Sequence, residues 1–269
     1  MERELIDQAD NLRKFMWERG HHATYLAVTS GKGGVGKTTF VVNYACMLAQ
    51  TGKKVLVFDA DLGLANIDIM LKVSPKAAIK DYIDGKASIG DVLIKGVFGF
   101  DLFPASSGFI EMADTSETDF EKIRNVFVKL DTQYDYIIFD TGAGIANNVH
   151  RFAAMADYAI VVSQPEPTAI ADAYAFLKTA KQLYSLKAAY LVFNKVDDAV
   201  VARKVYQNLK DVAQRFLQIE LHSAGNLADE PQARKALRAQ KPLCVFAPDS
   251  DFTKGVKEIA NKTHRIWGK

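Results

Sequence analysis

Cysteine is scarce in this 269-residue chain, which has only Cys46 and Cys244. The two form no CxxC pair, and no Cys/His spacing typical of metal ligands surrounds either one, so the sequence argues against a structural zinc site or a disulfide scaffold. One lies in a helical pattern and the other in an apolar run. We therefore expect buried thiols in a reducing compartment, which predicts a cytoplasmic protein.

Long hydrophobic runs are also missing. No apolar run approaches the roughly 20 residues needed to cross a bilayer, and no signal peptide is apparent. Charge of one sign is not in excess either, because 34 basic and 32 acidic residues give a formal net charge of +2. That balance argues against a dominant surface for DNA. With 49% hydrophobic residues, the chain can bury the core of one globular α/β domain.

What the chain does have is a glycine-rich stretch, Ser30–Thr39, between an apolar run and a helical pattern. The spacing GxxxxGK[ST] in this context predicts a phosphate-binding P-loop, in which glycine backbone N–H groups and a helix N-terminus face an anion. We expect Lys37 to reach the β- and γ-phosphates and Thr38 to bind Mg²⁺. On local grounds alone, Lys32 could equally be a solvated side chain. The expected nucleotide contacts are Lys32, Gly33, Gly34, Val35, Gly36, Lys37, Thr38 and Thr39.

Acidic residues follow two buried-type strands downstream. The run Lys54–Phe58 leads into Asp59 and Asp61, and a second run ends at Asp140. Because open α/β sheets bind ligands at the carboxyl ends of their strands, these carboxylates could hold the water ligands of Mg²⁺ or align an attacking water. A helix N-cap with a solvated partner is the alternative for the first pair, and an ordinary loop is the alternative for Asp140.

The rest of the chain alternates strands with helices. This alternation predicts a doubly wound, mostly parallel sheet with helices on both faces, spanning residues 23–269. Short helices are expected at Ile79–Ile83 and Ile89–Ile94, and a strand at Phe100–Phe103. Asn194 ends a later strand, where its amide could pair with adenine or simply close a turn.

Amphipathic helices are predicted at both ends of the chain. Within residues 1–22, apolar residues recur at helical spacing, and the helix either packs on its own domain or is offered to a partner. At the other end, Phe252–Trp267 has one apolar and one basic face. It could lie on an anionic membrane, but we favour docking on the sheet, since such sheets need helices on both faces.

Together these motifs resemble the MinD/ParA branch of the SIMIBI class of P-loop NTPases. The resemblance rests on KGGVGKTT, DADLGLANID and DTGAG, and on the stretch Ser163–Asp172. It implies an ATPase that uses Mg²⁺ and forms a homodimer around ATP. It further implies that Lys32 crosses to the partner subunit's phosphates and that Asp61 positions the attacking water. Asp59 and Asp140 would support Mg²⁺, and Asn194 would contact adenine.

Within that branch, the segment Asp7–Arg13 (DQADNLR) resembles the DQAxxLR motif of the FlhG (FleN/YlxH) family. The resemblance implies a regulator of flagellar number and placement whose N-terminal helix stimulates FlhF, a signal-recognition-type GTPase. The contacts to this partner would come from Gln8, Leu12 and Arg13. It also implies flagellar switch (C-ring) proteins or a flagellar transcription regulator as partners, and a place in the cytoplasm or peripherally at the inner membrane face or cell pole.

The chain departs from the family pattern in two places. Its C-terminal helix aligns with the last core helix rather than with a membrane-targeting helix beyond it, so membrane recruitment is left open. Leu227–Glu230 stands where the MinD branch has a proline-containing loop near adenine. Two other functions remain open at this point: a ParA/MinD-like partitioning or division-site ATPase, and an ATP-binding scaffold with little turnover.

Overall fold

A single mixed sheet forms the centre of the computed structural model, which describes residues 22–61, 67–104, 117–144 and 146–268. Within these ranges the sheet has eight strands. They are β1 (Thr24–Ser30), β2 (Val55–Ala60), β3 (Ile94–Val97), β4 (Phe100–Phe103), β5 (Tyr136–Ala143), β6 (Tyr158–Ser163), β7 (Ala188–Val196) and β8 (Glu220–Ala228). The order is β3-β4-β2-β5-β1-β6-β7-β8, and all neighbours are parallel except β3 and β4.

Helices connect the strands and cover both faces of the sheet. They are α1 (Lys37–Gln50), α2 (Ile67–Leu71), α3 (Ile79–Ile83), α4 (Ile89–Val92), α5 (Glu117–Leu130), α6 (Asn147–Met155), α7 (Pro167–Tyr184), α8 (Ala199–Val212), α9 (Ala233–Arg238), α10 (Leu243–Phe246) and α11 (Asp251–Trp267). A short 3₁₀ turn follows α5, and a π-helical turn follows α8. The doubly wound α/β fold expected from the sequence is therefore confirmed.

The central strands are apolar on both sides because both faces of the sheet are covered. All residues of β1 and β2 are buried. Side chains alternate between the faces, so Val57 joins the core under α1 and α11 while Phe58 joins the core under α5 and α6. Phe58 lies at the centre of an aromatic cluster, with ring centroids 5.1 to 6.3 Å from Phe103, Phe127, Phe139 and Phe152.

Helix α11 docks on the domain through its apolar face, as the sequence favoured. The Trp267 ring stacks on Tyr158 with centroids 4.6 Å apart. The Thr263 hydroxyl lies 2.7 Å from that of Tyr44 on α1. A Cβ on Gly225 of β8 would lie 2.7 Å from Ile259 Cγ1, so this glycine permits the close approach of helix and sheet. The basic side chains of the helix remain on its outer face.

Of the remaining predictions about local structure, some are confirmed, one is wrong, and one falls on residues outside the described ranges. The helix Ile79–Ile83 and the strand Phe100–Phe103 are confirmed, and both cysteines are buried free thiols. The expected helix over Ile89–Ile94 is wrong at its end, because Ile94 begins β3 and pairs with Leu102 in a hairpin. The predicted amphipathic helix of residues 1–22 lies outside the described residues, apart from residue 22. No helix in the described ranges is both long and apolar enough to span a membrane.

His150 on α6 is an unusual member of the core. Its ring stacks on Phe176 at 5.4 Å and is 3% exposed, and neither ring nitrogen has a hydrogen-bond partner among the described residues. Burial lowers the pKa of His150 from its ordinary value of 6.5 to about 4. The unfolded chain therefore binds a proton at this residue more readily, and acid favours unfolding.

We expect His150→Phe to remove part of the acid sensitivity of folding. The stability contributed by the neutral imidazole is present at pH 7 and is lost as the pH falls from about 6.5 towards 4. Between pH 7 and pH 5, wild type should lose about 2 kcal/mol more unfolding free energy than the variant. Urea titrations at both pH values measure this difference. An equal loss in both proteins would show that His150 is not the sensor.

Candidate functional site

The glycine-rich loop between β1 and α1 has the backbone shape of a phosphate cradle. Gly34 and Gly36 take positive φ angles of 78° and 91°, a region that favours glycine. A Cβ on Gly31 would lie 2.2 Å from the backbone carbonyl carbon of Asp172, so α7 packs directly against the loop. The sequence therefore needs glycine here both for the turn and for this close packing.

Lys37, at the start of α1, lies in a buried ion pair. Its Nζ is 2.6 Å from Asp140 Oδ1, and the two side chains are 8% and 1% exposed. Burial raises the pKa of Asp140 above its ordinary value, and the Lys37 ammonium opposes that rise. The pair therefore fixes the Lys37 ammonium beside Asp140 on β5.

The two strand-end aspartates predicted from the sequence lie side by side. Asp59 and Asp140 are direct neighbours in the ladder between β2 and β5. Asp59 accepts hydrogen bonds from the backbone N–H groups of Ile67, at 3.1 Å, and Asp61, at 3.4 Å. The Asp61 carboxylate lies against Gly142, 3.5 Å from where a Cβ would stand. The structure thus brings all three carboxylates to one edge of the sheet.

The end of β5 is tied to the P-loop strand. The Gly144 N–H donates to the Ser30 carbonyl at 2.8 Å, and the Thr141 hydroxyl donates to the Val28 carbonyl at 3.1 Å. Gly144 takes a positive φ of 86°. The segment after Asp140 is therefore hydrogen-bonded to the strand that leads into the glycine-rich loop.

A cavity of about 850 Å³ lies over this edge of the sheet. It is lined both by the P-loop and by residues at the ends of β2 and β5. The lining includes Ser30, Gly33, Gly34, Gly36, Lys37, Thr38, Thr39, Asp61, Gly142 and Asn148. The Ser30 hydroxyl is buried with no hydrogen-bond partner among the described residues. The glycine-rich loop, the buried Lys37 ammonium and the buried Ser30 hydroxyl fit a chain of phosphates. The nearby aspartates fit Mg²⁺ that keeps water ligands.

The residues described contain no cluster of three or more His, Cys, Asp or Glu that could hold a metal alone.

A second cavity, of about 650 Å³, adjoins the loop on the side of β7 and β8. Asn194 lies beside it and donates from Nδ2 to the Val35 carbonyl at 2.8 Å, while Lys195 Nζ lies 3.4 Å from the Gly34 carbonyl. Asp229, Glu230 and Pro231 contribute to the lining. A proline thus does stand at this cavity, one residue beyond the stretch that the sequence aligned with the family loop.

Lys32 lies apart from Lys37. It is exposed, and its Nζ is 3.4 Å from the Thr168 hydroxyl at the start of α7. Sequence reasoning missed Thr168, Lys195 and Pro231 as neighbours of the loop, although Thr168 lies inside the stretch Ser163–Asp172 that carried the family resemblance. Gln8, Leu12, Arg13 and residues 62–66 lie outside the described part of the chain.

A P-loop at the carboxyl edge of a doubly wound parallel sheet defines the class of P-loop nucleotide-binding proteins. The "AAA domain" family model matches residues 23–192. The antiactivator FleN of Pseudomonas aeruginosa is 34% identical over 90% of this chain and 86% of its own length. The flagellum site-determining protein YlxH of Helicobacter pylori is 33% identical over 95% of this chain and 87% of its own.

Solved structures agree. A chain of the MinC:MinD cell division protein complex of Aquifex aeolicus has a TM-score of 0.70 at 28% identity, covering 90% of this chain and 96% of that one. MinD of Pyrococcus horikoshii with Mg-ADP has a TM-score of 0.71, covering 91% and 97%, and at 21% identity it shows the fold alone. The chain belongs to the MinD/ParA-type P-loop ATPase family, in its FleN/YlxH (FlhG) branch. ATP and Mg²⁺ are the cofactors of this family, and ATP hydrolysis is its reaction.

The buried pair generates a stability prediction. Lys37→Met leaves the Asp140 carboxylate buried without its counter-charge, so we expect a loss of about 3 kcal/mol in unfolding free energy at pH 7. Lys32→Met is the matched control, because the same change at an exposed position should cost less than about 0.5 kcal/mol. Urea unfolding without nucleotide measures both. Equal effects would contradict a structural role for the pair.

Proposed function

We propose that this chain is an ATP-driven switch that regulates flagellar number and placement. The observation that carries the proposal is the similarity over nine-tenths of the chain to FleN, an antiactivator, supported by YlxH, a flagellum site-determining protein. The segment Asp7–Arg13 with its DQADNLR sequence supports the same branch. Residues 1–22 would form an activator segment and residues 23–269 the ATPase domain.

Hydrolysis would rest on positioning and charge. Lys37 would exchange the Asp140 carboxylate for the β- and γ-phosphate oxygens, since both compete for the same ammonium. Thr38 would bind Mg²⁺ directly, and Asp59 and Asp140 would hold its water ligands. When bound, Mg²⁺ supplies charge neutralisation on the phosphates. Asp61, at the wall of the cavity, would align the attacking water. Gly33, Gly34, Val35, Gly36 and Thr39 would surround the phosphates, and Asn194 would contact the base.

Lys32 would act on a second copy of the chain. It is exposed and lies outside the Lys37–Asp140 pair, so it is available to phosphates bound by a facing subunit. ATP would then bridge two subunits, and its hydrolysis would release them. Because the ATP-bound dimer and the released monomers carry the signal, turnover would be slow.

Of the three proposed catalytic residues, Lys32, Lys37 and Asp61, changes at Lys32 and Asp61 should separate hydrolysis from dimerisation. We expect Asp61→Ala to bind ATP and dimerise but to lose about 100-fold in turnover, because water is no longer aligned. Lys32→Ala should bind ATP as a monomer and lose both dimerisation and turnover, since only the contact in trans is removed. Phosphate release and light scattering with ATP and Mg²⁺ measure the two properties. A dimeric Lys32→Ala protein would refute the role in trans.

The N-terminal segment would act on a partner GTPase. Gln8 would reach the nucleotide of an FlhF-type protein, where a glutamine can orient an attacking water supplied in trans. Leu12 and Arg13 would complete the contact. Flagellar switch (C-ring) proteins or a flagellar transcription regulator are further partners in this proposal. The place of action would be the cytoplasm, peripherally at the inner membrane face or the cell pole.

We expect this chain to raise GTP turnover by purified FlhF, and a variant lacking residues 1–19 to lose the stimulation. Gln8→Ala should lose it as well, because its amide would be the group that orients water. Gln133→Ala, which removes an exposed glutamine elsewhere, is the matched control and should stimulate fully. If wild type binds ATP yet does not stimulate FlhF, the assignment of this partner fails.

A further inference from the structure

The two cysteines of the chain meet where helix α10 packs on α1, the helix that follows the P-loop. Cys46 is on α1, Cys244 is on α10, and the sequence has no other thiol. Both side chains are buried, and the Cys244 thiol hydrogen-bonds to that of Cys46. We propose that this pair is a redox modification site, at which hydrogen peroxide forms a reversible intramolecular disulfide that ties α10 to α1.

A buried asparagine on α1 anchors the backbone of Cys244. Asn43 Oδ1 accepts a hydrogen bond of 2.7 Å from the Cys244 N–H, and Asn43 Nδ2 donates to the Thr39 carbonyl at 2.7 Å. Asn43 and Cys46 are three residues apart on the helix, so they share one face of it. The fold therefore holds Cys244 within about one helical turn of Cys46 and keeps the two sulfur atoms in contact, as a disulfide requires.

The site is shallow, although both sulfur atoms are covered. Helix α10 has only four residues, and two of them, Val245 and Phe246, are exposed. On the other side of the pair, the amide of the exposed Gln50 donates to Cys46 Sγ at 3.8 Å. Hydrogen peroxide is little larger than water, so a local opening of this short helix admits it to the thiols.

The surroundings of the pair make Cys46 the attacking sulfur. The hydrogen bond from Cys244 lowers the pKa of the Cys46 thiol, burial opposes that shift, and the Gln50 amide adds to it. The same contact raises the pKa of Cys244, and burial adds to the rise. Because the thiolate is the reactive form of cysteine, Cys46 reacts with the oxidant and Cys244 then reacts with the product.

The reaction consumes one peroxide for each disulfide. The Cys46 thiolate attacks one peroxide oxygen, so that an S–O bond forms, the O–O bond breaks, and the released hydroxide takes a proton to become water. The Cys244 sulfur then attacks the Cys46 sulfenic acid. An S–S bond forms, the S–O bond breaks, and the hydroxyl leaves as a second water with the proton of Cys244. The two sulfur atoms lose two electrons in total, and the peroxide gains them.

The disulfide acts on one wall of the second cavity. Leu243, the residue before Cys244, lines that cavity together with Thr39 of α1. In the reduced protein, α10 is held there by the hydrogen bond to Asn43 and by apolar packing, so it can open locally. A covalent link to α1 removes that opening. Oxidation therefore fixes the cavity wall to the helix that begins at Lys37, and a second thiol compound reverses the change.

Wild-type protein provides the main test. The full-length chain, freed of reductant, is treated with hydrogen peroxide, and its free thiols and intact mass are followed. We expect both thiols to disappear together, with a mass lower by two hydrogen atoms, a linked pair of peptides that contain Cys46 and Cys244, and full recovery with dithiothreitol. Amide hydrogen exchange over residues 243–247 should slow about tenfold, because α10 no longer opens independently of α1.

Single variants separate the roles of the two sulfur atoms. Cys244→Ser should give a sulfenic acid at Cys46 that dimedone traps, because the serine hydroxyl can still donate to the thiolate. Cys46→Ser should react about tenfold more slowly, since the remaining thiol is the one with the raised pKa. Cys244→Ser combined with Val245→Cys is the matched control. It keeps two thiols but moves one to an exposed position of α10, and it should form no internal disulfide.

Four results would overturn the inference. Wild type could keep both thiols at peroxide concentrations that oxidise glutathione, or it could form disulfides between chains and none within the chain. The control with Val245→Cys could form the internal bond as fast as wild type, which would show that the native contact is not needed. Unchanged hydrogen exchange over residues 243–247 in the oxidised protein would show that the bond does not hold α10 on α1.

Discussion

The ion pair between Lys37 and Asp140 is the contact on which the site depends. It joins the first residue of α1 to the end of β5, two elements separated by about a hundred residues of chain, and both charges are withdrawn from water. A buried charge is tolerated only with a partner, and Asp140 is the partner of Lys37. In the proposed function, nucleotide binding would exchange this carboxylate for phosphate oxygens at Lys37. The parallel pairing of β5 with β1 on one side and β2 on the other keeps Asp140 and the start of α1 in place.

Most of the architecture could be predicted because its signals are local. The P-loop spacing, the buried strands and the alternation of strand and helix each depend on residues close together in sequence. The hairpin strand β3 could not, because Ile94 is paired to Leu102 through a turn in which Phe98 takes a positive φ of 48°. The edge strand β8 could not be predicted either, because its sequence, ELHSAGNLA, is too polar to indicate a buried strand.

The site shows the same division between local and distant signals. Lys37, Thr38, Asp59, Asp61 and Asp140 could be identified because each stands at a strand end or helix start with a recognisable pattern. Thr168, Lys195 and Pro231 could not, because they meet the P-loop only through packing of β7, β8 and α7 around it. Contacts between residues more than 130 positions apart produce no periodic pattern in a single sequence. They become visible only when the sheet order is known.

The docking of α11 has a consequence for any encounter with a lipid surface. The face of this helix that could enter a bilayer is the face that covers α1 and β8, with Trp267 against Tyr158 and Thr263 against Tyr44. Protein and membrane would therefore compete for one set of side chains. Lipid binding through this helix would therefore expose the face of α1 that it covers, including Tyr44.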